Sequence, residues 1–234
     1  TGNGVSVPAI MRGPCEGMRS RRAWSHHHPC VQDMDRLLQK FPHTTMMAIS
    51  RVGTDTLNQL CLEALFADRT PLNAEVLPGD YDANPENYVK SDYGTQKKPI
   101  AEWEPYPLWI WIGMMIYFTR NVNKDVDFVN GVRGTVEGFD APSHGIRIVT
   151  ETGHRVVVWP WTDKDNGNLT YYPIRPGYAS TIIKFQGAEL DHLIVWLDVP
   201  GVPGAAYTAM SRVREGKNCL IGGNVEAMHF MPAV

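Results

Sequence analysis

Between Asp191-His192 and Asp198 lies an unbroken apolar run, Leu193-Ile194-Val195-Trp196-Leu197. It is too short for an ordinary helix, and it shows no alternation of polar and apolar positions, so it reads as a buried strand of the kind found inside parallel sheets. Its neighbours supply the covering layers. Ala179–Phe185 and Ala205–Arg214 read as helices, and Cys219–Ile221 reads as a last strand. Upstream, Thr44–Ser50 (TTMMAIS) reads as a short strand, after which Gly53-Thr54 offers a turn and N-cap for a helix starting near Asp55. Leu57, Leu60, Cys61, Ala64 and Leu65 then fall on the i, i+3, i+4, i+7, i+8 stripe of a helix packed on a sheet. Strand and helix alternating at this spacing predict an α/β domain with a mainly parallel sheet.

A different pattern interrupts it. Met114–Thr119, Val132–Phe139, Ile146–Thr150 and Arg155–Trp159 are β-rich runs separated by the turn signals Asn130-Gly131, Ser143-His144-Gly145 and Thr152-Gly153. Short strands joined this way predict a small barrel or curled sheet. Asn130-Gly131 is expected to form the hairpin turn itself. The aromatic residues Trp159, Trp161, Tyr171 and Tyr172 read either as core packing or as stacking platforms for unpaired bases, with packing the preferred reading. The expected organisation is a loosely attached arm over residues 1–30, an α/β domain over 31–109 and 163–234 with a long surface excursion at 68–107, and an inserted β-rich subdomain at 110–162.

Composition sets outer limits. A chain of 234 residues with 43% hydrophobic residues has material for a core. A formal charge of -3 gives no global basic signal, so nucleic acid would need a local groove. The longest apolar run, Leu108–Phe118, reads as buried strand and falls well short of the roughly 20 residues of a membrane-spanning helix. Cys15, Cys30, Cys61 and Cys219 lack zinc-knuckle or dithiol spacing, so a reducing, intracellular setting is expected. His26, His27 and His28 beside Cys15 and Cys30 read as a solvated loop rather than a metal site, and no metal ligands are expected. The chain opens on Thr1 and is expected to be a fragment or a processed product.

Four segments carry a resemblance. YASTIIKFQGAELDHLIVWLD (Tyr178–Asp198) followed by GAAYTAMSRVREG (Gly204–Gly216) resembles motifs V and VI of Pif-one/RecD-like superfamily 1 DNA helicases. Gly113–Phe139 is similar to the segment that leads in these helicases through an asparagine-glycine hairpin into a small β-barrel of Src-homology-three (SH3) type. Ile49–Asn58 (ISRVGTDTLN) resembles motif IV, at the start of the second motor domain. The resemblance implies a RecA-like, P-loop NTPase-type second motor domain with an inserted SH3-like barrel, from an ATP-dependent helicase moving 5′ to 3′, nuclear or mitochondrial, acting in DNA repair or recombination. The implied partners are single-stranded DNA, ATP and an N-terminal motor domain, with no membrane and an open oligomeric state. ATP and Mg2+ would be held mainly by that N-terminal domain, because no G-x-x-x-x-G-K-[ST] occurs in these residues. The chain alone is therefore expected not to hydrolyse ATP.

By the same resemblance, Arg212 is the arginine finger that stabilises charge on the transferring phosphoryl group, although an arginine near a helix end, taken alone, reads as surface charge. Arg51 would add a second phosphate contact, though it reads almost as readily as a solvated surface charge, and Gln186, Gly187 and Glu189 would line the nucleotide side, Glu189 accepting from the ribose. Thr181 and Lys184 would hold DNA phosphates, a sequence-blind and salt-dependent contact; Lys184 in isolation is a plain surface lysine. Ile183 and Phe185 depart from the family pattern around that lysine, where a histidine and a small polar residue are usual. The alternative reading is a non-catalytic nucleic-acid-binding remnant of a helicase, from a truncated gene or mobile element.

Overall fold

A computed structural model describes residues 29–73, 75–80, 88–91, 94–97, 105–164, 167–185 and 189–231. The expectations placed on residues 1–28, including Cys15 and the three histidines, lie outside these. The chain divides into two compact units: the first holds residues up to Ala67 and from Tyr178 onward, and the second is Asp68–Gly177.

The first unit opens with helix α1 (Val31–Lys40), which the sequence pattern did not predict. At its start the Asp33 carboxylate accepts from the Cys30 N–H and thiol at 3.3 and 3.2 Å, and Met34, Leu37 and Leu38 are buried along one side. Strand β1 (Thr45–Ala48) follows, buried along its whole length, and then helix α2 (Arg51–Phe66). This helix begins four residues before the expected start at Asp55. Ser50, not Thr54, is the N-cap: its Oγ accepts from the Gly53 N–H at 2.9 Å. Gly53 is no turn residue either. A Cβ there would lie 2.3 Å from the Asp198 carboxylate, so the missing side chain provides clearance within the first turn. The expected stripe is seen where Leu57, Leu60 and Cys61 are buried.

In the second unit, β2 (Leu77–Pro78) precedes a two-stranded antiparallel pair, β3 (Tyr88–Ser91) with β4 (Gly94–Lys97). β2 itself pairs with β5 (Pro107–Leu108). The apolar run from Leu108 onward is not one strand. It bends at Gly113 (φ +82°), exposing Ile112, before β6 (Met115–Phe118). Then come β7 (Arg133–Asp140), β8 (Gly145–Thr150), β9 (Arg155–Val158), β10 (Trp161–Asp163), β11 (Leu169–Tyr171) and β12 (Ile174–Pro176). Five of these form an antiparallel sheet in the order β12-β6-β7-β8-β9. Alternation along β7 and β8 turns Val136, Ile146 and Ile148 inward and leaves Thr135 and Glu137 outside. The β6–β7 connection is not a two-residue hairpin. Residues 119–132 form a longer loop, closed by the Asn123–Phe128 bridge and by Phe128 against Phe118, and Gly131 (φ +90°) makes only its final turn. Tyr171 and Tyr172 are core residues, whereas Trp159 and Trp161 are exposed.

The chain then re-enters the first unit. Ala179–Phe185, expected as a helix, is a strand β13 (Ala179–Thr181) running into a 3-10 turn (Ile182–Phe185). Pairing with β1 decides this, with Met46, Met47 and Ala48 opposite Ala179, Ser180 and Thr181. β14 (Leu193–Leu197) is the apolar run, buried at every position, and β15 (Cys219–Gly223) completes a wholly parallel sheet in the order β13-β1-β14-β15. Each β14 side chain adds about 1.5–3 kcal/mol by leaving water. Leu193, Val195 and Leu197 pack with Met47, Cys219, Ile221 and the three alanines of α3 (Ala205–Met210). Those alanines let the short helix lie close to the sheet. α3 stops at Met210 rather than Arg214, because Val213 leaves the helix to pair with Leu190.

Candidate functional site

In a parallel α/β sheet the strand ends converge, and ligands gather where the loops leave the carboxyl ends. Three such ends carry polar residues. β1 leads through Ile49 and Ser50 into Arg51, the first residue of α2. β13 ends on Thr181, half-buried, and its turn exposes Lys184. β14 ends at Asp198, whose carboxylate closes the gap to α2: Oδ1 accepts from the Ile49 N–H at 2.7 Å and the Ser50 N–H at 3.2 Å, and the Ser50 hydroxyl donates to Oδ2. Burial pushes the Asp198 carboxyl above the ordinary carboxylate range, and these hydrogen bonds pull in the opposite direction. The carboxylate also places negative charge at the positive end of the α2 dipole, which otherwise disfavours a cation such as Arg51.

Arg212 belongs to a different group. Its carbonyl accepts from the Leu190 N–H at 2.7 Å, and the Leu190 carbonyl accepts from the Arg214 N–H at 3.0 Å, so the loop after α3 is zipped to the segment entering β14. Arg212 thereby stands beside Glu189 along the chain path. The residue is half-buried, and its Nε is shielded from solvent with no hydrogen-bond partner among the described residues. A guanidinium N–H in that state is costly without an acceptor and is a ready donor to an anion. Glu189 is exposed and accepts from Arg214 Nε at 3.2 Å, while Arg214 also reaches Asp191 at 3.3 Å. These exposed pairs contribute about 0–1 kcal/mol, so Glu189 is easily released to another donor.

The structure thus joins Glu189 to the Arg212 loop and sets Arg51 and Thr181 at the carboxyl ends of neighbouring strands. Gln186 and Gly187 lie outside the described residues. Phe185, at the departure from the family pattern, packs against the core of this unit. Sequence reasoning missed Arg214, Asp198 and Asn58; the pair spacing of Arg212 and Arg214 was the one available local signal. Among the described residues no group of three or more His, Cys, Asp or Glu is placed to hold a metal, and no helix is long and apolar enough to cross a membrane.

A parallel sheet flanked by helices, with an antiparallel unit interposed in the chain, defines an α/β fold of RecA-like type. Comparison with known proteins specifies it further. No protein-family model matches the chain. It is 36% identical over 146 residues to the ATP-dependent DNA helicase Pif1 of Bdellovibrio bacteriovorus, covering 58% of this chain and 31% of that protein. The Pif1 helicase from Bacteroides in complex with ADP-AlF3 and single-stranded DNA superposes with a TM-score of 0.59 at 18% identity, covering 88% of this chain and 48% of that one. A Pif1 structure described for DNA unwinding at forked duplex DNA gives 0.60 at 19% identity, covering 86% of this chain and 45% of that one. The chain is Pif1-like in sequence and in fold, and it spans about a third of that curated relative and under half of those structures.

Proposed function

We propose that this chain is the second motor region of an ATP-dependent DNA helicase of the Pif1/RecD-like group, moving 5′ to 3′, with residues 110–162 serving as an SH3-like barrel insertion. The observation that carries the reading is the zipped Leu190–Arg212–Arg214 backbone, whose loop holds an Arg212 Nε that is shielded and has no hydrogen-bond partner among the described residues. ATP supplies a phosphoryl group whose transfer develops negative charge on its oxygens. Arg212 is the arginine finger for that charge, Arg51 a second phosphate donor, and Glu189 an acceptor for the ribose, together with Gln186 and Gly187. Thr181 and Lys184 hold phosphates of single-stranded DNA. A first motor region provides the phosphate cradle and the Mg2+ ligands; this chain contributes cations to a shared crevice. In the cell the protein works in the nucleus or mitochondrion.

Two assays on the purified chain test this reading. ATP turnover with single-stranded DNA present is expected at background, because no phosphate-binding loop occurs in these residues. Robust turnover overturns the half-motor assignment. Anisotropy with a fluorescent oligothymidine is expected to show salt-dependent binding that weakens in Lys184→Ala; identical binding by the two proteins removes Lys184 from the track. A chain that binds DNA yet never supports turnover when joined to an active first motor region is the non-catalytic remnant instead.

A further inference from the structure

β13 is the edge strand of the parallel sheet, with β1 on one side only. It has three residues, and the last of them, Thr181, enters the turn that carries Lys184. So short an edge strand has few ladder bonds to fix its height and tilt, and its outer N–H and C=O groups need partners. One side chain supplies those at its start. Asn58, on α2 and 3% exposed, donates from Nδ2 to the Ala179 carbonyl at 3.1 Å; its Oδ1 accepts from the Ala179 N–H at 2.9 Å and from the Tyr178 N–H at 3.0 Å. The carboxamide thus bonds both backbone groups of one residue, as a neighbouring strand would, and closes the sheet edge where β13 begins.

We infer that Asn58 is a positioning residue for the DNA-contacting turn: by holding the start of β13 to α2, it sets where Thr181 and Lys184 stand. The inference rests on the proposed DNA track and deepens it. Asn58 touches no ligand in this scheme and acts only through the backbone of Tyr178 and Ala179. It also makes α2 a mechanical link. Arg51 lies seven residues before Asn58, about 10 Å along the helix axis, so one rigid rod carries a phosphate-facing arginine at its start and the grip on the DNA strand near its middle. A tilt of α2 passes to β13 through three hydrogen bonds instead of through a loop.

The alternative is that Asn58 merely satisfies buried backbone groups and stabilises the unit. Salt dependence separates the two. For single strands the logarithmic salt slope falls by roughly 0.7 for each phosphate that the protein ceases to neutralise. A substitution that only unfolds part of the population lowers the apparent affinity and leaves the slope of the folded fraction unchanged. Wild type, Lys184→Ala, Asn58→Ala and the double variant are titrated with oligothymidine over a range of salt, and circular dichroism melting reports the folded fraction. Asn58→Ala is expected to lose about tenfold in affinity, equivalent to about 1.4 kcal/mol. Its salt slope is expected to drop as far as that of Lys184→Ala, and the double variant to lose little more than either alone. Where Asn58→Ala does not fold, Asn58→Asp, which keeps both accepted N–H bonds but sets a repelling carboxylate oxygen against the Ala179 carbonyl, is expected to show the same reduced slope. An unchanged slope in a folded Asn58 variant, with Lys184→Ala reduced, overturns the inference and leaves the DNA track standing. An unchanged Lys184→Ala removes the track itself, and the inference with it.

Discussion

The two units differ in how much of the work of holding strands falls to the backbone ladder. The antiparallel unit has strands as long as Arg133–Asp140, whose backbone ladders and inward apolar residues hold one another. Its polar ties are of two kinds: Asn73 to Leu108 and Ile110, and Arg120 to the buried Asp163 and Tyr171, are long-range, whereas Asp127 accepts from the Thr152 hydroxyl and pairs with His154 Nδ1 at 2.9 Å between two exposed loops. The parallel unit has strands of three to five residues, and its polar ties are buried and long-range: Asp198 to Ile49 and Ser50, Asn58 to Tyr178 and Ala179, His229 to the Val199 carbonyl at 2.9 Å. Short strands cannot fix their own ends. In the parallel unit single side chains do it: Asp198 holds the exit of β1 that leads into Arg51, and Asn58 holds the start of the strand that ends on Thr181 and leads to Lys184.

Substitution should expose this difference. The largest loss of stability is expected in the antiparallel unit: Ile148→Ala empties a fully buried site and should cost about 2–5 kcal/mol, read as a lowered urea midpoint and lost amide protection across β7 and β8. Asp198→Ala should cost less, about 1–3 kcal/mol, since the Ile49 and Ser50 N–H groups lose their acceptor. Its losses in protection should centre on the start of α2. If Asp198→Ala loosens the antiparallel unit as much as its own, the two units are not held by separate means.

Acidification should move the two units in opposite directions. Asp198 has a raised carboxyl pKa in the fold because it is buried, so its ionised form costs stability at neutral pH, and that cost disappears as pH falls through the raised value toward 3.8. Asp127 is lowered, first by the Thr152 hydroxyl and then by His154, so its contribution is present above 3.8 and is lost only as pH falls through the depressed value. Amides near Ser50 should gain protection on mild acidification in wild type and not in Asp198→Asn; amides near Thr152 should lose it at lower pH. The smallest effect is expected from His154→Ala, whose exposed pair should leave the urea midpoint unmoved. A clear shift there would show that surface ties matter in this unit too.

What the sequence disclosed follows the same division. β14 and the strands β6 to β9 were legible because burial writes itself locally, as an apolar run or as alternation between turn signals. β13 was not. Its residues Ala179–Phe185 fit a helix by spacing, and only pairing with β1 and the Asn58 grip, formed by a residue 121 positions away, make it a strand. The start of α2 was misplaced for a similar reason, because Asp198 reaches it across 149 positions. The arginine and lysine candidates came from motif resemblance, and the residues that hold them in place left no local trace. Helix α1 did carry a signal, with Met34, Leu37 and Leu38 on one side, but nothing in its flanks marked it.

The proposed role of Arg212 is tested most directly by turnover in a polypeptide that joins this chain to a Pif1-type first motor region. Arg212→Ala is expected to lower DNA-stimulated ATP hydrolysis by about 10³-fold while leaving oligothymidine affinity within about twofold of the unsubstituted protein. Hydrolysis at the unsubstituted rate would mean that Arg212 reaches no phosphate, and the half-motor reading would lose its catalytic residue.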